Sequence, residues 1–198
     1  MRKTLDKLIS WTGITVAVVL LLAGGLLTYA HSFITDQVEQ QLSQQDITMP
    51  GAKALETQAQ KDALLQYAGQ KMTTGDQAKA FADSYILVHM NAASKGRTYE
   101  DVSGEFLTLS KDPNADQAKV AQLGQLRQTL FMGNTLRGLL LNAYAFGTMG
   151  TIALYAAIAA FASGALLLVL GLLGLRHAKT AEDVRVSTVE SGRVPQTA

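Results

Sequence analysis

Residues able to do chemistry are thinly spread in this chain. It has three histidines, His31, His89 and His177, and no cysteine. Two histidines and a carboxylate facing one cavity can hold non-haem iron with open positions. Asp36 follows His31 closely, and Asp83 precedes His89. However, His89 falls on an apolar helical stripe beside Tyr85, the commoner setting for a hydrogen-bonded core histidine. On that stripe His89 would turn Met90 away, which argues against a His31–Met90 haem pair. No glycine-rich phosphate loop follows a strand. Ser84 and Ser103 lack the GxSxG turn of a nucleophilic serine. The lack of cysteine removes disulfides, thiolate metal sites and a thiol nucleophile. These residues predict no catalytic group, no metal and no cofactor, so the expectation is a protein that is not an enzyme.

The elements that would position any site are dominated by two uncharged runs. No Asp, Glu, Lys or Arg lies between Lys7 and Asp36, or between Arg137 and Arg176. A bilayer core needs about 20 apolar helical residues, so each run is long enough to cross one. Arg2, Lys3 and Lys7 precede the first run, and Arg176 and Lys179 follow the second. By the positive-inside rule both termini then face the cytoplasm of a two-span plasma-membrane protein. Trp11 and Tyr29 fit interfacial aromatic positions. The expected organisation is a cytoplasmic N-terminus (1–7), a first span (8–30), an extracytoplasmic helical domain (31–147), a second span (148–175) and a disordered cytoplasmic tail (176–198). A cleaved signal peptide is the alternative for the first run. Signal peptides have apolar cores of about 7–15 residues, and this longer run favours an uncleaved anchor.

The second run is too long for the bilayer alone. From Gly138 to Leu175 a continuous helix at 1.5 Å per residue would reach about 57 Å, nearly twice a hydrocarbon core of about 30 Å. With Arg176 fixing one end, the lipid-buried part is expected at 155–175. The stretch LFMGNTLRGLLLNAYAF (130–146) then reads as a seam covered by protein, with a helix break at Gly133-Asn134-Thr135. Phe33, Ile34, Val38 and Leu42 form a matching stripe on a glutamine-rich helix. The fold class expected is all-α, with two transmembrane helices whose long extracytoplasmic extensions frame a small helical domain. Inside the spans, Gly13 and Ala17, and likewise Ala156, Ala160 and Gly164, recur at four-residue spacing. Small residues so spaced let helices pack closely in lipid.

In the outer domain, a helix is expected over 54–71, ending near Gly69. Thr74-Gly75-Asp76 opens a second, whose face carries Ala78, Phe81, Ala82, Tyr85, Val88, His89 and Ala92. Thr98 starts a third, and Asp112-Pro113 supplies an N-cap with proline at the first helical position. Charge is nearly balanced, with 17 Lys and Arg against 16 Asp and Glu, so nothing points to a nucleic-acid partner.

The segments LDKLISWTG, VVLLLAGGLLTYAHSFITDQV, YAGQKMTTGDQAKAFADSYI, TYEDVS and LRGLLLNAYAF together resemble a family of actinobacterial two-span membrane proteins of similar length. The resemblance covers Met1 to about Lys179 and implies a high-GC Gram-positive source and a plasma-membrane location. Members are often labelled aromatic ring-opening dioxygenases, which implies a 2-His-1-carboxylate iron site. This chain offers only His31 and His89 on one side of the membrane. The family has no assigned functional residue to carry over.

The leading expectation is a non-catalytic accessory or scaffold protein that binds other membrane or envelope proteins, through a membrane-protein partner or as a homo-oligomer. The alternative is a binding protein for a lipid or other apolar ligand at a seam containing Phe33, Leu140, Asn142, Tyr144 and Phe146. A cavity of several hundred cubic ångströms there would favour the ligand, and solid packing the scaffold.

Overall fold

The computed structural model describes residues 2–191, with side chains described for 4–179. The described residues are all-α, apart from one isolated antiparallel bridge between Thr48 and Lys71. The helices are α1 (Arg2–Gln44), α2 (Gln58–Leu64), α3 (Gly75–Phe81), α4 (Leu87–Ser94), α5 (Tyr99–Leu109) and α6 (Gln117–Ser191). The chain divides into two compact units, one of Met1–His31 with Thr151–Ala198, the other of Ser32–Gly150.

The first unit pairs the early part of α1 with the late part of α6. A Cβ on Gly164 would meet Leu21 at 3.1 Å and the Ala17 carbonyl at 3.2 Å, and one on Gly171 would meet the Ser10 carbonyl at 3.1 Å. The two helices therefore run antiparallel. Ser10, Ala17 and Gly24 are buried every seventh residue on α1. On the part of α6 in this unit the buried positions, among the described side chains, are Ala153, Ala157, Ala160, Gly164, Gly171 and Ala178. Steps of three and four residues are those of a left-handed coiled-coil seam. Ala17, Ala160 and Gly164 lie in it, whereas Gly13 faces open space and Ala156 is exposed. Ala157 holds the position that a strict four-residue count gives to Ala156. Around the seam the surface is apolar, with Leu22, Leu26, Ile152 and Tyr155 all more than half exposed. Thr15 and Thr28 donate their hydroxyls to the Trp11 and Gly24 carbonyls, which satisfies them without water.

The second unit is built on three reciprocal caps. Thr57, Thr74 and Thr98 each accept a backbone N–H three residues on, while Gln60, Gln77 and Asp101 accept the N–H of the capping residue. Each such box satisfies two donors that a helix start leaves orphaned. The Gln77 amide also donates to the Gln70 side-chain oxygen (3.0 Å), so both ends of this buried group are hydrogen-bonded. α2 is shorter than its sequence suggests because Thr57 starts it and Gly69, at φ +73°, closes the segment beyond the turn Leu65–Tyr67. Val38, Leu42, Met49, Leu64, Met72, Ala78, Ala82 and Leu140 form one core. Met90, Val102, Leu123 and Leu130 form a second.

Three local expectations are corrected. α6 runs without a break through Gly133-Asn134-Thr135. Gly133 packs against Met90, whose Sδ would lie 2.5 Å from a Cβ there, and Thr135 returns its hydroxyl to the Phe131 carbonyl. The glycine serves close approach, not termination. Asp112 accepts from the Asn114 N–H (2.9 Å) in a turn, and Asp116 caps α6 by accepting from Ala118 (2.9 Å). A π turn at Ala82–Ile86 lies between α3 and α4. Its extra residue rotates the face that follows, so Met90 and Ser94 are buried and His89 is exposed. The tail from 176 continues α6 as far as Ser191, and residues 192–198 lie outside the described ones.

A candidate apolar binding groove

Two adjacent rows of side chains follow His31 at four-residue spacing. Phe33, Gln37 and Gln41 on α1, continued by Gln45 in the turn just after it, form one row, and Ile34, Val38 and Leu42 the other. Facing them on α6 are Leu136, Leu139, Leu140, Asn142, Ala143 and Phe146. Between these walls lies a cavity of about 540 Å³, within the range of small-molecule sites. Val38, Leu42 and Leu140 make its floor and belong to the first core. Its rim is apolar and open: Phe33, Leu139 and Phe146 are 54%, 61% and 55% exposed. Large apolar side chains held at such exposure around a concavity mark a surface built to be covered.

Four of the five seam residues singled out from sequence line this groove: Phe33, Leu140, Asn142 and Phe146. Tyr144 is directed elsewhere. Its ring lies under the Lys79 ammonium at 5.4 Å, and its Cα packs against Gly75, where a Cβ would approach within 2.9 Å. Sequence reading missed Gln37, Gln41 and Gln45 as a wall, although their four-residue period was a usable signal. Leu136 and Leu139 were absorbed into the general leucine run.

Comparison with protein-family models, curated proteins and solved structures finds no match for this chain. The geometry of its own residues therefore carries the functional argument.

The opposite face of this part of α6 is fastened by charge. Arg137 donates to Asp83 (2.8 Å), which also pairs with Lys79 one turn earlier. The Lys79 hydrogen bond, aided by Arg137 and opposed by partial burial, holds the Asp83 carboxyl below its ordinary range. The same Asp83 hydrogen bond raises Lys79. Asp83 sits on the π turn, so the irregular turn presents its carboxylate to both cations. A second anchor joins Glu105 to Lys119 and Arg97, which lower its carboxyl, Lys119 first. Neither cluster lines the groove.

The candidate chemical residues do not gather. His89 is exposed, holds its ring tilted against that of Tyr85 with centroids 4.3 Å apart, and places Nδ1 2.7 Å from the Tyr85 carbonyl oxygen. His31 belongs to the other unit. Among the described residues no three His, Asp or Glu side chains converge as a metal ion would require.

Proposed function

We propose that this chain is an integral membrane protein that holds a lipid or similar apolar ligand in the groove between α1 and α6. The observation that carries the reading is the cavity itself, about 540 Å³ with an apolar floor and an exposed apolar rim. A scaffold whose two helices only packed together would have filled that space. Membrane residence is supported by the two long helices, whose apolar windows have mean hydropathy 2.1 and 2.4 and are only 11% and 22% buried. A core helix of a water-soluble protein would hide such a surface. Basic residues outside both runs favour cytoplasmic termini and an extracytoplasmic Ser32–Gly150 unit on a plasma membrane. The protein acts by binding and not by catalysis.

A second reading keeps this chain as an accessory subunit of a larger assembly. It is favoured by Phe131 and Met132, both more than half exposed on α6, which would suit a protein partner or a second copy.

Purification from native membranes in mild detergent, followed by solvent extraction and mass spectrometry, separates the two. The ligand reading predicts one enriched lipid class near one molecule per chain, lost in Leu139→Glu, which places a charge on the rim. A near-stoichiometric protein, with no enriched lipid, would make the scaffold reading the better one.

A further inference from the structure

We infer that the ligand is an uncharged lipid, with an alkyl chain against the groove floor and a hydroxyl, ester or amide head on the row Gln37, Gln41 and Gln45. This rests on the proposed ligand reading and narrows it to a chemical class. The groove's lining is polar along one edge and carries no formal charge. Its polar members are Gln37, Gln41, Gln45 and Asn142, and it contains no Lys, Arg, Asp or Glu. A carboxylate or phosphate brought beside an apolar wall loses hydration that only a cation or several strong donors can replace. The nearest candidate cation in sequence, Arg137, is committed to Asp83 with Lys79 on the far side. The charges of α1 nearest in sequence, Asp36 and Glu39, lie outside the lining on the other side of the helix, and just beyond Gln45 the Lys71 ammonium is paired with Asp46 (2.6 Å). An anionic head group would therefore meet no counter-charge on the groove lining.

Carboxamides, in contrast, both donate and accept. They match hydroxyl and ester groups without either partner being ionised. Gln37 and Gln41 are spaced by about 6 Å of helical rise along one edge of the groove, and Gln45 continues that edge in the turn after α1. They can follow a head group with several oxygens, such as an acylglycerol or a glycolipid, while Leu139, Leu140 and Phe146 take the chain.

The test uses full-length protein in phosphatidylcholine nanodiscs and two diazirine photoprobes with the same acyl chain, a monoacylglycerol and a lysophosphatidylglycerol. Peptides spanning 33–45 and 136–146 are expected to carry at least about tenfold more of the neutral probe. Equal or greater labelling by the anionic probe overturns the uncharged-ligand inference and leaves an apolar site standing. No labelling of these peptides by either probe overturns both. Gln41→Lys provides a second arm at an exposed position. A cation on the row should raise anionic labelling about tenfold, since charge-assisted hydrogen bonds are roughly twice as strong as neutral ones. Unchanged labelling would show that the head group does not meet the glutamine row.

Discussion

At the residue scale, the second unit depends on how Asp83 is shared. It takes Arg137 from α6 and Lys79 from α3, and each of the three is about one-third to one-half exposed. Water therefore screens the pairs, and Asp83→Asn is expected to cost only about 1 kcal/mol near neutral pH. The pH dependence is the sharper check. The folded state holds the Asp83 proton more weakly than the unfolded chain does, so its contribution is complete above the ordinary carboxylate value of 3.8. It is lost as pH falls through the depressed native value. The stability difference between wild type and Asp83→Asn, from denaturant unfolding followed by circular dichroism, should shrink below about pH 4. Glu105 and Asp101 are also depressed, but they titrate in both proteins and cancel in the difference. A gap that stays constant to pH 2 would show that the ion pairs are not what Asp83 contributes.

At the element scale, the helix starts were the most legible part of the sequence and the irregular turn the least. Thr74 and Thr98 announce their helices because a threonine followed by Gln or Asp three residues later satisfies orphan backbone donors locally. The π turn at Ala82–Ile86 has no such signature. It follows from tertiary demands, with Ile86 packing against both cores and Asp83 reaching two cations. Periodicity read straight through it put His89 on the buried face, whereas Met90 holds that place. Gly133 misled for a similar reason. A glycine at a helix–helix contact and a glycine at a break look alike until the Met90 side chain is placed beside it. Substitutions test the register. Met90→Ala should cost about 2–4 kcal/mol as a buried large-to-small change, while His89→Ala should stay within about 0.5 kcal/mol. The reverse order in thermal or denaturant unfolding would restore the unbroken α-helical register.

At the scale of the whole molecule, the apolar residues have two roles that composition alone blends together. In the first unit small residues form the seam and large ones face outward, as a lipid-facing pair requires. In the second unit large residues turn inward to two cores, and others line a groove. The uncharged run after Arg137 showed that more apolar length was present than a bilayer needs. It could not show that the surplus makes a cavity, because that depends on how α1 and α6 are spaced in the Ser32–Gly150 unit. The proposed topology rests on flanking charge and has a direct check in a chain without cysteine. Ser110→Cys should react with a membrane-impermeant maleimide on intact cells, and Thr4→Cys should react only after lysis. Labelling of both on intact cells would remove the two-span arrangement. The ligand-binding claim is tested most directly by an environment-sensitive fluorophore on Gln41→Cys, in purified protein before and after delipidation. Occupancy of the groove predicts blue-shifted emission that moves to the red on delipidation and returns when the extracted lipid is restored, while Ser110→Cys stays constant. Emission from the Gln41 position that is unaffected by removing lipid would contradict a ligand in the groove.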